Sequence, residues 1–584
     1  MNKRKLLNNI FVPNKITKVD YISASSLKNF MNNDPIIDYL SYWNINDLSQ
    51  KPNKDRILNN KNKNEFLNYL LNNGIKYEND IYEKIKEKHT VVQVFKNVND
   101  LNFANFELTK KYINEGQNII YQAVLYNHEN NTYGVADLLV RSNYINIFVP
   151  NTIDPEEEKI DDKYYYFAID IKNSTIELNK DNIYVLNSKN LPFYKVQLLL
   201  YTEALSNIIG IKVTKAFILG RRYHYKQINY ENNYFLKLGT IDYKNIDFKY
   251  YDLFDKSLLW IRNVRDNGYK WELLPKPSIP ELYPNMKNNF DFNYRQIKND
   301  LAEKICEITQ IWNVSVKHRI IAHNNGIYSW KNNKCNSQSL GFNDKSKISN
   351  IVDKIIEINK TSNKKIEPNK ILYNDNKWKV CPADIIEFYI DYETLISNDK
   401  TYIFMIGVGY HNENDNWIFK NYHLKQLTKE DMNNMFSEFW EYIKKVLAQK
   451  GKIDSRFIHW TKAEPSQYNK CVDTILFPYK NFIDLFDIFK KEPIVINGAF
   501  GFSLKSIAKA MYTNKMINTC WTNIENSTIN CENGQDALLL GIKLYEQKNN
   551  INNDNIILKS IRDYNEIDCK VMFEIITYLR KNHI

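Results

Sequence analysis

Cysteine is scarce in this 584-residue chain: there are seven, none precedes Cys306, and no two form a Cys-x-x-Cys pair. An odd, scattered set argues against a zinc ribbon or a disulfide framework and points to a reducing intracellular compartment, cytoplasm or nucleus, rather than secretion. Long apolar runs are missing as well, none approaching the roughly 18 residues that a bilayer span requires. The opening stretch MNKRKLLNNIFVPNK is basic but lacks a signal-peptide apolar core, so residues 1–19 read as a solvated basic arm. There is no Gly-x-x-x-x-Gly-Lys-Ser/Thr phosphate loop, so any nucleotide-driven motor must come from another polypeptide.

Positive charge is in moderate excess, 79 Lys and Arg against 68 Asp and Glu, a net +11 compatible with a polyanionic partner. The 41 Tyr and 29 Phe offer stacking faces of the kind single strands use. Tyr, Ile, Asn and Lys are all abundant together, however, as in proteins from very AT-rich genomes, and that bias accounts for the aromatics. The length suits two to four domains with full cores.

The organising stretch runs from Gly134 to Tyr201. Three short β-type runs, broken by the acidic loop NTIDPEEEKIDDK, lead into a segment of helical period. Asp137 interrupts one apolar run. Asp170 and Lys172 stand two apart in another, where strand geometry turns both to one face. Gln197 and Tyr201, four apart, share a helix face. A carboxylate on an apolar strand is costly unless a cation meets it. Taken alone, Asp-x-Lys reads better as an ordinary same-face ion pair on an exposed strand; with Asp137, Glu78 and the Gln-x-x-x-Tyr helix in order the balance reverses.

Asp, then Asp-x-Lys on the next strand but one, then Gln-x-x-x-Tyr resembles the PD-(D/E)xK nuclease fold in its RecB-like branch. Ala136 stands where the family name has proline. The preceding segment LLNNGIKYENDIYEKIKEK resembles the first core helix of these nucleases and places Glu78 at the position whose carboxylate reaches the metal. The opening ISASSLKNFMNNDPIIDYL resembles their entry motif, with Asp34 where iron–sulfur members carry cysteine, so an iron–sulfur cluster is excluded. The resemblance implies Mg²⁺ or Mn²⁺ held by Glu78, Asp137 and Asp170, with Lys172, Gln197 and Tyr201 completing the catalytic set. Further on, Arg221 and Arg222 in VTKAFILGRRYHYKQ are candidate phosphate contacts or a solvated strand end.

From Ala383 the composition changes. Asp391 and Glu393 stand two apart on the apolar strand ADIIEFYIDYETLIS, and Tyr564 and Asp568 four apart on a late periodic helix. This pattern resembles the DEDD exonucleases of ribonuclease-H-like fold, in the variant with tyrosine (DEDDy), and most of all the YprB-type domain found fused to RecB-like nucleases. No Asn-x-x-x-Phe-Asp occurs for the middle motif. His459-Trp-Thr-Lys-Ala-Glu464 stands in its place, so Glu464 is taken as the ligand, with Asp484 as the fallback. The resemblance implies Asp391, Glu393, Glu464 and Asp568 as metal ligands, and Tyr564 as the residue orienting the attacking water.

The expectation is thus an α/β (α+β) chain with two nuclease modules. A PD-(D/E)xK domain spans 20–270, a mostly helical bridge 271–342, a polar Lys/Asn-rich linker with one helical patch around Ile351 to Ile358 spans 343–382, and a ribonuclease-H-like domain 383–584. Trp312 and Trp330 are expected in a core rather than as nucleotide platforms. The expected function is metal-dependent phosphodiester hydrolysis, probing toward exonucleolytic processing or repair of nucleic acid, DNA ahead of RNA, with a separate helicase as a further partner and no membrane. The alternatives are a non-catalytic nucleic-acid-binding scaffold and the nuclease subunit of a helicase–nuclease complex.

Overall fold

The computed structural model describes residues 21–52, 64–95, 103–155, 164–232, 235–343, 346–361, 363–372, 376–397, 400–412, 416–477, 481–521, 531, 533–546 and 555–584. The basic arm and most of the acidic loop lie outside them. The chain is mixed α/β and forms two compact units, Met1–Ile305 and Cys306–Ile584.

In the first unit, helix Glu65–Lys86 begins at Asn64, whose side chain accepts from Leu67 N at 2.8 Å, and ends with Lys84 and Lys86 against the negative end of the helix dipole. It carries Glu78. Strands Ile119–Asn127, Thr132–Arg141 and Tyr166–Glu177 follow in antiparallel succession, and Lys215–Tyr225 then joins Tyr166–Glu177 in parallel. A parallel neighbour needs a long crossover, and helix Leu191–Ile209 supplies it. That helix is buried on nearly every side and stops at Gly210, whose φ of 70° suits glycine. Its one buried cation, Lys195, meets Asp247 at 2.6 Å.

Two expectations are corrected here. The strands of Asp137 and Asp170 are direct neighbours in the sheet, not separated by a third. The intervening apolar run is the short helix Ile145–Phe148, whose Ile145 and Phe148, three apart, both face the core. The bridge 271–342 is also not a separate element. Residues up to Ile305 close back on the first unit, where Lys298 on helix Arg295–Ile305 donates to Asp34 at 2.5 Å and to Asp291 at 2.7 Å. Asn285 N and Asn288 Nδ2 bond the other sides of the same Asp34 carboxylate, at 2.9 and 2.8 Å. From Cys306 onward the chain belongs to the second unit, with Trp330 in its core and Trp312 packed against it.

The second unit holds a five-stranded sheet in the order Trp417–His423, Lys400–His411, Ile385–Ser397, Asp454–His459, Phe482–Asp484. The first two pairings are antiparallel and the last two parallel. Helix Lys429–Lys450, capped by Thr428 and closed by Gly451, returns the chain for the parallel pairing. The final helix, Ile556–His583, packs on the two central strands Ile385–Ser397 and Lys400–His411. Its buried face repeats at three and four residues through Leu558, Ile561, Asn565, Asp568, Met572, Ile575 and Leu579. Arg580 grips Glu387 with two bonds of 2.6 Å, and Arg456 adds a third at 2.7 Å.

The polar linker is the third correction. Residues 347–360 form a helix whose Ile351, Val352, Ile355, Ile356 and Ile358 are buried in the second unit's core. The lysines and asparagines of this segment mask a complete apolar face, because composition averages over the helix circumference and periodicity does not.

Candidate active site

Two sets of polar side chains interrupt the cores, one in each unit. In the first, the ladder between Thr132–Arg141 and Tyr166–Glu177 ends at Leu138 and Ile169, so that the next step in that register opposes Asp137 to Asp170. There the backbone bond is replaced by a side chain: Ile171 N donates to Asp137 Oδ2 at 2.8 Å. Asp170 is 1% exposed and its Oδ2 lies 2.5 Å from Lys172 Nζ, which also sits 4.8 Å over the Tyr194 ring. Directly after Lys172 a bulge shifts the register against Lys215–Tyr225, turning the strand at the residue that bears the cation.

Glu78 accepts from Tyr121 OH at 3.1 Å and from Gln122 Nε2 at 3.4 Å. Gln122, which faces Asp137 in the strand register, holds a left-handed φ of 55°, a strained conformation for a side-chain-bearing residue and the kind that gathers at working sites. Gln197 donates to Tyr201 OH at 2.9 Å, and its Oε1 is a buried acceptor with no hydrogen-bond partner among the described residues. Tyr201 lies flat on the strand at Gly134, where any Cβ would come within 2.4 Å of its ring. Arg221 reaches the bulge through Asn173 at 3.3 Å, whereas Arg222 is ion-paired with Glu231. All the sequence-selected residues of this set therefore lie in one unit. Among the described residues, the group of three carboxylates lying mutually within 4.8 Å is elsewhere.

That group is Asp391, Glu393 and Asp568. Asp391 and Glu393 share a face of the central strand Ile385–Ser397, and an irregularity directly after Glu393 shifts the register against Lys400–His411. Asp568 comes from the final helix, one turn beyond Tyr564. Asn565 binds Asp391, its Nδ2 donating to Oδ2 at 2.6 Å, and it lies over Gly407 on the adjoining strand, where a Cβ would fall 1.6 Å from Asn565 Oδ1. Trp521 Nε1 donates to Asp568 Oδ1 at 3.0 Å. Lys505, on helix Leu504–Thr513, places its ammonium 4.7 Å over the Tyr564 ring and 5.2 Å over Trp521.

The electrostatics of this cluster are unfavourable without a cation. Burial and then the charge of Asp568 push Glu393 up to about 8. Asp568 rises to about 7 through burial, which the charge of Lys505 and hydrogen bonds from Tyr564 and Trp521 offset only in part. Asp391 is driven well above the usual carboxylate range by burial, followed by Asp568, Glu393 and Glu464. Glu464 sits 3.3 Å from His459 Nδ1 and is likewise raised by burial. Asp484 is engaged otherwise: its Oδ1 accepts from Thr461 N at 2.8 Å and from Phe486 N at 2.9 Å, capping the helix Leu485–Lys491. Glu464 is thus the better placed of the two candidates, since its charge acts on all three clustered carboxylates.

The donor set is all hard oxygen, buried and self-repelling. It fits a divalent ion, which lets the carboxylates ionise together. Asn565, Trp521 and Lys505 were not found by sequence reasoning. The one signal for Asn565 was an amide in the buried stripe of a helix, and nothing in the local pattern marked Trp521 or Lys505. No family model matches the chain, and no curated protein matches it.

Proposed function

We propose that the chain is a metal-dependent nuclease whose principal centre is the Asp391–Glu393–Asp568 cluster, with Glu464 as a further ligand. The observation that carries this reading is three carboxylates within 4.8 Å, those of Glu393 and Asp568 buried and that of Asp391 half-buried, beside a tyrosine one helical turn from the last of them. The strand order of the second unit, three antiparallel strands followed by two parallel ones, supports a ribonuclease-H-like fold of the DEDDy kind. Helix, three antiparallel strands, crossover helix and parallel strand in the first unit support a RecB-like PD-(D/E)xK fold.

In this reading Asp391, Glu393, Glu464 and Asp568 hold Mg²⁺ or Mn²⁺. When bound, the ions lower the pKa of a water and offset the charge that develops on the phosphate. The chain's own residues do the positioning. Asn565 fixes the Asp391 carboxylate and Trp521 fixes that of Asp568, so neither needs to reorient during reaction. Tyr564, hydrogen-bonded to Asp568, directs its hydroxyl to the attacking water. In the first unit Glu78, Asp137 and Asp170 would hold the metal and Lys172 would orient the water, with Gln197 and Tyr201 behind it and Arg221 near the strand bulge. The substrate is nucleic acid, DNA ahead of RNA, cut from an end; a helicase would be a separate chain.

The test is digestion of end-labelled single- and double-stranded DNA and of RNA, in Mg²⁺, Mn²⁺ or EDTA. Wild type, Lys172→Ala, Asp391→Ala and the double mutant would be compared. Metal-dependent products that vanish with Asp391→Ala support the assignment. Products lost only with Lys172→Ala would move the chemistry to the first unit. Metal-independent binding without cutting would make the chain a scaffold.

A further inference from the structure

We infer that His459 and Asp484 are positioning residues of the second centre. Asp484 holds the turn that brings Glu464 to the carboxylate cluster, and His459, in the tautomer with its proton on Nδ1, holds the Glu464 carboxylate in its ligating orientation. This rests on the nuclease reading and adds to it the two residues through which the fourth ligand is aimed.

Glu464 is not one of the three carboxylates that meet within 4.8 Å, yet its charge acts on all of them. It reaches them from the first turn of helix Ala463–Cys471, which follows closely on the strand Asp454–His459. The helix dipole accounts for an acid in that turn but not for its burial, because a solvated carboxylate would gain the same benefit. The connection, Trp460, Thr461 and Lys462, is fixed on both sides. Trp460 is buried and donates from Nε1 to Phe502 O at 3.0 Å. Thr461 holds a φ of 71°, a left-handed conformation that is an outlier for a β-branched residue. Its N–H donates to Asp484 Oδ1 at 2.8 Å, and the same oxygen accepts from Phe486 N at 2.9 Å. Strain of this kind persists where neighbours enforce it, and it gathers at working sites. The enforcing neighbour is Asp484, which stands directly opposite His459 in the parallel register of the two strands.

The turn sets His459 Nδ1 and Glu464 Oε2 3.3 Å apart. Both atoms are buried, and neither has another hydrogen-bond partner among the described residues. His459 is 1% exposed, at the carboxyl end of its strand, where open α/β sheets place their sites. A carboxylate that binds a metal through one oxygen keeps its aim when the other accepts a bond from a fixed donor. His459 is such a donor, an N–H on a short side chain packed edge-on against Phe482. Asp484 acts on the backbone instead: one of its oxygens is committed to two amides, and its buried Oδ2 is the atom whose role a neutral amide in its place would test.

The experiment titrates Mn²⁺ into the full chain, with free ion read by electron paramagnetic resonance and Asp137→Ala in every protein so that the first unit's ligand set is broken. This reference is compared with His459→Phe, His459→Asn, His459→Gln, Asp484→Asn, Asp484→Ala, Glu464→Gln and the His459→Phe, Glu464→Gln double variant, each with its melting temperature. His459→Phe should weaken Mn²⁺ binding roughly tenfold, as loss of a ligand's outer partner does. His459→Asn carries an N–H at the branch point of Nδ1 and should recover most of the loss; His459→Gln, whose amide lies one bond further out, should not. The double variant should bind no more weakly than Glu464→Gln alone. Asp484→Asn keeps the acceptor and should bind as the reference does, whereas Asp484→Ala releases the turn and should resemble Glu464→Gln. Reference affinity in His459→Phe and His459→Gln, equal losses in His459→Asn and His459→Gln, or additive losses in the double variant would overturn the inference while leaving the nuclease reading intact. So would a loss in Asp484→Asn as large as that in Asp484→Ala, which would make Asp484 a ligand. If His459→Phe does not melt cooperatively, the comparison of His459→Asn with His459→Gln decides. A reference that neither binds Mn²⁺ nor cuts nucleic acid would overturn both readings.

Discussion

The carboxylate cluster should make the second unit less stable as pH rises, and a divalent ion should cancel the effect. In the unfolded chain Asp and Glu release their protons near pH 4. In the fold Glu393 releases its proton at about 8 and Asp568 at about 7. Between those limits the folded protein binds protons that the unfolded chain has lost, so stability falls with pH, by about 1.4 kcal/mol per unit for each such group. The loss begins near pH 4 and is complete above pH 8. For Glu393 alone it reaches on the order of 4–5 kcal/mol, and less within the set, because the protons are shared. In a unit of this size, each kcal/mol moves the melting temperature by about 2–4 °C. Thermal unfolding in EDTA from pH 5 to 8.5 should therefore show a falling melting temperature that Glu393→Gln or Asp568→Asn flattens. Mn²⁺ should raise the curve most at high pH, and its binding should release protons, read as a heat that varies with the buffer's ionisation enthalpy. A melting temperature independent of pH in EDTA, together with a binding heat independent of buffer, would refute the reasoning.

Gly407→Ala should be poorly tolerated, because its Cβ would lie 1.6 Å from Asn565 Oδ1; displacing Asn565 should cost about 1–3 kcal/mol in denaturant unfolding and weaken Mn²⁺ binding. Lys298→Met strips the shared cation from the buried Asp34 and Asp291 and should cost the first unit about 3–5 kcal/mol in urea, whereas replacing all three with apolar residues should cost far less. At Glu387 burial pushes the carboxyl up, but the Arg580 and Arg456 guanidiniums outweigh it and hold the group below its usual range. Its stabilisation is present above the unfolded value and lost as pH falls through the folded one. Glu387→Gln should therefore melt lower at neutral pH, with a shallower loss on acidification below about 4.5.

Periodicity was informative wherever one element carries both members of a pair. Asp391 with Glu393, and Tyr564 with Asp568, face together as two- and four-residue spacing requires, and they join in the cluster. Lys505 could not be read this way, because its relation to Asp568, 63 residues further along the chain, exists only after helix Leu504–Thr513 has packed beside the final one. The helical patch in 347–360 is legible in its isoleucines, but the segment reads as a linker rather than core because its lysines and asparagines dominate the composition.

The tightest carboxylate group lies in the unit with the incomplete motif, and the local donors differ between the two sets. In the first unit each acid has its own neighbour: Lys172 for Asp170, the amide of Ile171 for Asp137, Tyr121 and Gln122 for Glu78. Each of those acids thus has a donor of its own close by. In the second unit the donors are a neutral amide, an indole and a phenol, with Lys505 as the cation, and these leave several buried negative charges facing one another. Such a set is stable only with protons or metal ions, so the unit with the incomplete motif carries the cluster that could hold a metal ion. Spacing along a chain specifies which face a carboxylate takes; whether it needs a metal depends on what the fold has already placed beside it.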